Sequence, residues 1–302
     1  MSVIAFSIFK DATFFRTLRL CALPAATLLL IAADRLWGGI NSIEANMLAA
    51  IAIVLAGIPH GTLDVEIAAA HFGRSGIAGK ATIIVGYLAC AAFMVVLWLE
   101  IPALALVSFL IISIVHFSRD WRGGVDPFLA MMVGWALVAL PALASPGDVA
   151  TVFAALTGSN DGAVIAALLG AASVPAALGS LVFAYWAFRN NDTQSALEVL
   201  ACITAALFLP PLVAFAVFFC GLHSPRHMAD ALKATGTLSG TKKALIVCAV
   251  TALSLGMGVL MFLYQGKVPT DMGIIRAAFI LISTLTVPHF ILEHLLSRKQ
   301  TA

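Results

Sequence analysis

An all-α bundle of helices spanning a membrane is the fold class the sequence predicts, and three observations predict it. The 302-residue chain is 62% hydrophobic and only 11% charged, whereas soluble domains carry roughly 25% charged residues. Its mean hydropathy of +1.04 is more apolar surface than a soluble core absorbs, so a bilayer has to be the solvent. The charges sit in short gaps between apolar runs, many of them close to the ~20 residues a helix needs to cross. The formal charge of +2 leaves no electrostatic footprint for nucleic acid.

The apolar runs fall near 17–33, 44–60, 81–99, 101–117, 127–144, 163–188, 195–209, 211–227, 243–264 and 272–295. They predict about ten spans, with eight as the lower bound, in a single membrane domain over residues 1–302. Lys10, Arg16 and Arg19 precede the first run as they would in a signal peptide. Ile31-Ala32-Ala33-Asp34 is a poor cleavage site and many spans follow, so the first run reads as an uncleaved transmembrane helix. The runs split by Pro210-Pro211 are the weakest pair. They read as two short helices, with one kinked or re-entrant element as the alternative.

Charge distribution favours the hairpin. With a cytoplasmic N-terminus and ten spans, the inner side receives Lys10, Arg16, Arg19, Arg74, Lys80, Arg119, Arg189, Lys233, Lys242 and Lys243 among others. The outer side receives only Arg35 and Lys267. This is the asymmetry of the positive-inside rule. It implies a cell (plasma or inner) membrane protein with both termini cytoplasmic. Cys21, Cys90, Cys202, Cys220 and Cys248 lie singly within apolar runs with no CxxC, so they read as small packing residues.

Six of the seven histidines sit where apolar segments end. Four of them fall in the clusters Pro59-His60-Gly61-Thr62-Leu63-Asp64, His116-Phe117 and His223-Ser224-Pro225-Arg226-His227. In the ten-span topology His60, His116, His223, His227, His289 and His294 share one depth, near the inner leaflet. His71 reads as a solvated loop residue. Ionisable groups at membrane depth are costly, so the default reading is functional. His223 and His227 are one helical turn apart and can reach one ion; the plain alternative is a pair of interfacial side chains facing headgroups. Asp64 is placed to accept the second ring N–H of a ligating histidine, or to cap the polar segment running through Glu66. His116 alone would be an unremarkable interfacial residue. Four imidazoles without a thiolate or an anionic ligand suit Fe, Cu or Zn and leave open positions for dioxygen or water. His289 and Glu293, followed by His294, read as supporting hydrogen-bonding groups or as an interfacial helix end.

These residues carry a family resemblance. Pro59-His60-Gly61-x-x-Asp64, His116-Phe117 some 56 residues after His60, and His223-Ser-x-Arg226-His227 resemble motifs of the bacteriorhodopsin-related-protein (Brp/Blh-like) family of β-carotene 15,15′-dioxygenases. The likeness covers roughly residues 44–295, and Pro288-His289 is similar to a C-terminal motif of that family. It implies a ferrous iron, Fe(II), held by His60, His116, His223 and His227. It further implies cleavage of the central double bond of β-carotene or a similar carotenoid by O₂ to give two retinal, which a rhodopsin can accept.

The residues agree with what the resemblance implies. β-Carotene is apolar and about as long as the ~30 Å bilayer core, so its enzyme should take it from the lipid phase. The chain offers no Ser/His/Asp set, phosphate loop or nicotinamide fingerprint. Phe117, Trp121, Phe219 and Phe290 are the candidates for a substrate tunnel, with Phe109, Trp135, Phe215 and Phe218 nearby; core, lipid-facing or interface-belt roles are the plain reading of each. A di-iron desaturase would bring more histidines and an HxxHH motif. The remaining alternative is a histidine-ligated haem protein or a metal transporter, although the ligand candidates cluster at one leaflet and the span middles are nearly free of charge.

Overall fold

The computed structural model describes residues 12–38, 43–121, 125–265 and 270–298. Helices form all the regular structure among them. In chain order they are α1 (Ala12–Trp37), α2 (Ile43–Gly61), α3 (Asp64–His71), α4 (Ile77–Glu100) and α5 (Pro102–Phe117). A 3₁₀ turn (Ser118–Trp121) follows, then α6 (Pro127–Ala144), α7 (Pro146–Thr157), α8 (Asp161–Ala171), α9 (Ser173–Arg189), α10 (Thr193–Phe208) and α11 (Pro211–Phe218). A π turn (Phe219–His223) leads into α12 (Ser224–Ala234), followed by α13 (Gly240–Tyr264) and α14 (Thr270–Arg298).

Seven of these stretches are long and apolar enough to cross a membrane: α1, α2 with α3, α4, α5 with its 3₁₀ turn, α6, α13 and α14. The pair α8–α9, bent by 42°, makes an eighth if counted as one span. α10 is apolar but only 16 residues long, and the run after Pro210-Pro211 is broken by the π turn. Against the expected ten spans, with eight as the lower bound, the described helices thus give seven or eight, and two further details depart from the sequence reading. Residues 146–157, expected as connection, form α7. His71, expected in a loop, is the last residue of α3.

Local chemistry sets the boundaries. Pro102, Pro127, Pro146 and Pro211 occupy first turns, where a missing N–H costs nothing and φ is already helical. The side chains of Asp126, Asp192 and Ser239 accept hydrogen bonds from the N–H groups of Phe128, Ser195 and Lys242, supplying partners that the opening turns of α6, α10 and α13 lack. α7 ends at Gly158, whose φ of +69° is the left-handed conformation a helix C-terminus favours.

In lipid, helices associate through close packing and interhelical hydrogen bonds rather than through the hydrophobic effect. The buried core is accordingly rich in alanine, with Ala136, Ala139, Ala176, Ala187, Ala196 and Ala205 essentially inaccessible. At the α5–α6 crossing a Cβ on Gly134 would sit 2.3 Å from the Ile114 carbonyl oxygen, so only glycine allows those backbones to meet there. The indole N–H of Trp98 on α4 donates to Ser283 Oγ on α14 at 2.6 Å. Tyr87 on α4 donates to the Leu285 carbonyl at 3.3 Å. The Ser224 hydroxyl donates to the Ala56 carbonyl on α2. α13 stands at the periphery, with Leu253, Leu260 and Leu263 largely exposed.

The Gly134 crossing lies one turn from His116, so it is testable. Gly134→Ala should destabilise the protein by about 1–3 kcal/mol, the usual cost of overpacking, while Gly86→Ala, where a Cβ meets open space, should not. Thermal unfolding of both variants in detergent checks this; equal midpoints would mean the α5–α6 crossing is looser than described.

Candidate metal centre

Five helical segments converge on one polar spot. His60 comes from the last turn of α2, His116 from the end of α5, His223 from the π turn, His227 from the first turns of α12 and His289 from α14. The four histidines of the sequence clusters come together. Ring centroids lie 4.3 Å apart for His223–His227, 4.8 Å for His116–His223, 5.4 Å for His60–His223 and 5.7 Å for His60–His227. His289 joins the inner ring rather than standing behind it, 5.1 Å from His60 and 5.2 Å from His116. One nitrogen each from His60, His116 and His289 lies within 4.8 Å of the others, and so does one each from His116, His223 and His227.

Pro225 explains the local geometry of the His223 segment. Proline has no N–H and its ring clashes with the carbonyl four residues back, which here is that of Gly221. The helix is widened just before Pro225, where the Ser224 N–H bonds to the Phe219 carbonyl five residues back. Such π insertions recur at functional sites. Arg226, between the two histidines, reaches away from them to pair with the buried Glu198 on α10 at 2.5 Å. Gln194 donates to the other oxygen of Glu198 at 3.0 Å.

Each supporting carboxylate serves a histidine on a different helix from its own. Asp64 Oδ2 is 2.7 Å from His289 Nδ1. Glu293 Oε2 is 3.1 Å from His116 Nδ1. Asp120, in the 3₁₀ turn after α5, is 2.9 Å from His223 Nδ1 and 3.3 Å from His227 Nε2. Asp64 therefore backs His289, not His60, and α3 starts without a side-chain cap; the capping reading is set aside. Gly61 lies beside this contact: a Cβ there would sit at ordinary van der Waals distance, 3.4 Å from Asp64 Oδ2 and 3.6 Å from His289 Nδ1. Glu293 also accepts from Arg119 at 3.0 Å, and the other guanidinium arm of Arg119 meets His294 Nδ1 at 3.0 Å. Sequence reasoning missed Asp120. The available signal was its spacing, because His116 and Asp120 repeat the four-residue interval of His60 and Asp64 and of His289 and Glu293.

Three features fit this spot to a metal cation. His116 and His223 each turn Nδ1 to a carboxylate, which leaves each neutral ring with its lone pair on Nε2. Those two Nε2 atoms lie only 3.2 Å apart, an arrangement that favours a shared proton or cation between them. Second, His289 Nε2 and His60 Nδ1 are buried without a hydrogen-bond partner among the described residues, which is costly unless something coordinates them. Third, Asp64, Asp120 and Glu293 bring three negative charges against the one positive charge of Arg119. With neutral imidazoles, a divalent cation balances that excess.

Aromatic side chains wall the cluster on its apolar side. Phe219 stacks on His223 at 5.2 Å, and Phe117 meets His223 edge-on at 5.0 Å. Phe290 lies 6.1 Å from His116 with Arg119 over its face. Trp121 stacks on Phe218 instead of on a histidine. Of the four tunnel candidates only Phe117 also lines the narrow apolar cavity of about 80 Å³ that runs between α5, α6, α7, α11 and α14. Its neighbours there include Phe109, Phe215 and Phe279, the last of which the sequence reading had not singled out. A larger cleft of about 490 Å³ opens between α4 and α14, walled by Gly86, Tyr87, Pro288 and Ile291.

Fold and site together define a polytopic membrane protein built around a buried cluster of histidines able to hold a metal. The sequence matches the family model described as "Beta-carotene 15,15'-dioxygenase" over residues 51–297, and the chain belongs to that family. It is also 29% identical over 259 residues to a protein named beta-carotene 15,15'-dioxygenase from uncultured marine bacterium 66A03, an alignment covering 83% of this chain and 93% of that one. No solved structure matches.

Asp120 is the most direct check on the site. Asp120→Asn should weaken metal retention about 10–100-fold, as losses of groups that orient ligating histidines do. Metal content after dialysis against graded chelator reads this; retention equal to the parent protein would mean that the carboxylate does not orient His223.

Proposed function

We propose that the protein is an oxygenase that takes β-carotene from the lipid phase and cleaves its central 15,15′ double bond with O₂ to give two retinal. The observation that carries the reading is the buried imidazole cluster, backed by carboxylates and walled by phenylalanines, of which Phe117 also lines an apolar cavity. Family membership supplies the substrate class. The reaction balances without a further reductant: one C=C and one O–O bond break, and two C=O bonds form.

His60, His116, His223 and His227 would hold ferrous iron, a metal whose affinity for imidazole fits the set. Iron there would supply the unpaired electrons that let dioxygen react with a closed-shell polyene. The protein's own contribution is position and dryness. Asp120 and Glu293 fix the ring orientations of His223 and His116, while Phe117, Phe218 and Phe219 pack against His223 and keep water from its apolar side. The polyene would part the phenylalanines of the narrow cavity to bring its midpoint to the histidines. Two apolar spaces support central cleavage, because each half of a symmetrical substrate needs its own. One half follows Phe109, Phe117 and Phe215. The other points to the α4–α14 cleft, whose Tyr87 hydroxyl lies within 3.9 Å of a Cβ on Gly61, beside Asp64 and His289.

Expression in bacteria that accumulate β-carotene should turn orange cells pale, with retinal appearing at close to two per carotene lost. Oxygen exclusion or iron chelation should block the change. Undiminished carotene and no retinal from well-expressed, iron-loaded protein would overturn the assignment, and a different shortened aldehyde would move it to another polyene.

The reading includes orientation. As one membrane domain with both termini cytoplasmic, the chain carries its histidines toward the inner leaflet of the cell membrane, where a rhodopsin could receive the retinal. Reporter fusions should then place residue 240 in the cytoplasm; an external residue 240 would break the ten-span arrangement.

A further inference from the structure

The sequence clusters supply four histidines, but the cluster holds five. Asp64 fixes His289 through Nδ1 at 2.7 Å. Glu293 fixes His116 and Asp120 fixes His223 through the same atom. A carboxylate on Nδ1 leaves the Nε2 lone pair free to coordinate, the usual arrangement of a metal-bound histidine. His289 Nε2 is buried and has no partner among the described residues, in a residue that is itself only 8% exposed. A nitrogen of His289 also lies within 4.8 Å of one from His60 and one from His116, near enough for the three to turn toward one ion. His289 thus shares with His116 the carboxylate on Nδ1, the burial and a place in a close nitrogen triad, while His116 alone also belongs to the triad with His223 and His227.

We propose that His289, held by Asp64, is a fifth imidazole ligand of the metal centre. The proposal rests on reading the cluster as a metal site. It has a chemical consequence: a metal held by five imidazoles would offer fewer exchangeable positions than one held by four, and the polyene would be held by the phenylalanine-lined spaces alone.

The test uses full-length detergent-purified protein loaded anaerobically with ferrous iron, or with cobalt(II) as a spectroscopic probe. His289→Gly should raise the iron Kd by more than the ~100-fold upper end for losing an orienting group, and should shift the visible cobalt bands. Free imidazole should restore both the affinity and the bands. Asp64→Asn should raise the Kd about 10–100-fold while the metal-saturated protein keeps the parent cobalt spectrum. His71→Ala, whose ring lies beside Phe72 at the end of α3, should change neither quantity.

His289→Gly with parent affinity and an unchanged cobalt spectrum overturns the proposal. So does weaker binding with a parent spectrum at saturation, which is the behaviour of a positioning residue. If His289→Gly does not run as a monodisperse species, His289→Gln is measured in its place, with the same cobalt shift expected and the same null result decisive. Failure of the metal reading itself looks different: the parent protein and His60→Ala would then bind iron and cobalt equally, or not at all.

Discussion

Everything around the site depends on one repeated interaction, a carboxylate from one helix gripping an imidazole from another. Asp64 at the start of α3 holds His289 on α14; Glu293 on α14 holds His116 on α5; Asp120 after α5 holds His223 and His227 across the π turn. The links run in series through four helical elements that are distant in sequence, and each fixes a ring tautomer as well as a helix position. His60 ends the series, with no carboxylate contact described. Short polar links of this kind gain in value where water is scarce, because a buried ionisable group left without its partner is expensive.

That series also explains why small residues crowd the same region. Ring nitrogens can converge within a few ångströms only if the helices carrying them nearly touch. Gly134 lets α6 reach the carbonyl of Ile114 at the end of α5. The π turn before His223 achieves the same end by other means. Its extra residue per turn lies just before Pro225 and sets Phe219 and His223 stacked on each other at 5.2 Å. Packing constraints and site geometry are therefore the same constraints here.

The sequence disclosed the fold class and much of the site, for reasons that differ residue by residue. Helical spans announce themselves because each must satisfy its own backbone within the bilayer. The breaks flanking α10 were legible as Asn190-Asn191-Asp192 and Pro210-Pro211, whereas hydropathy does not record the 42° bend between α8 and α9. His60, His116, His223 and His227 stood out because polar residues are rare among apolar runs. His289 stood out equally, but its place in the inner ring follows from which face of α14 meets α2, a tertiary fact. Asp120 was visible as a residue and invisible as a partner: carboxylates were sought beside their own histidines, whereas the fold exchanges them between helices.

The exchange has an electrostatic logic. A carboxylate serving a histidine of its own helix would stabilise that helix and nothing else. Serving a neighbour's histidine, it makes the cluster and the bundle form together, so the imidazole nitrogens reach their positions only when α2, α5, α12 and α14 are all seated. The three carboxylates against the single guanidinium of Arg119 then leave an excess of negative charge at the point where the nitrogens meet. In a medium of low dielectric that excess attracts a cation far more strongly than it would in water. On the proposed reading, the charge that makes the empty cluster costly to bury is the same charge that gives a divalent metal its hold, and the apolar walls of Phe117, Phe218 and Phe219 strengthen both effects by keeping water out.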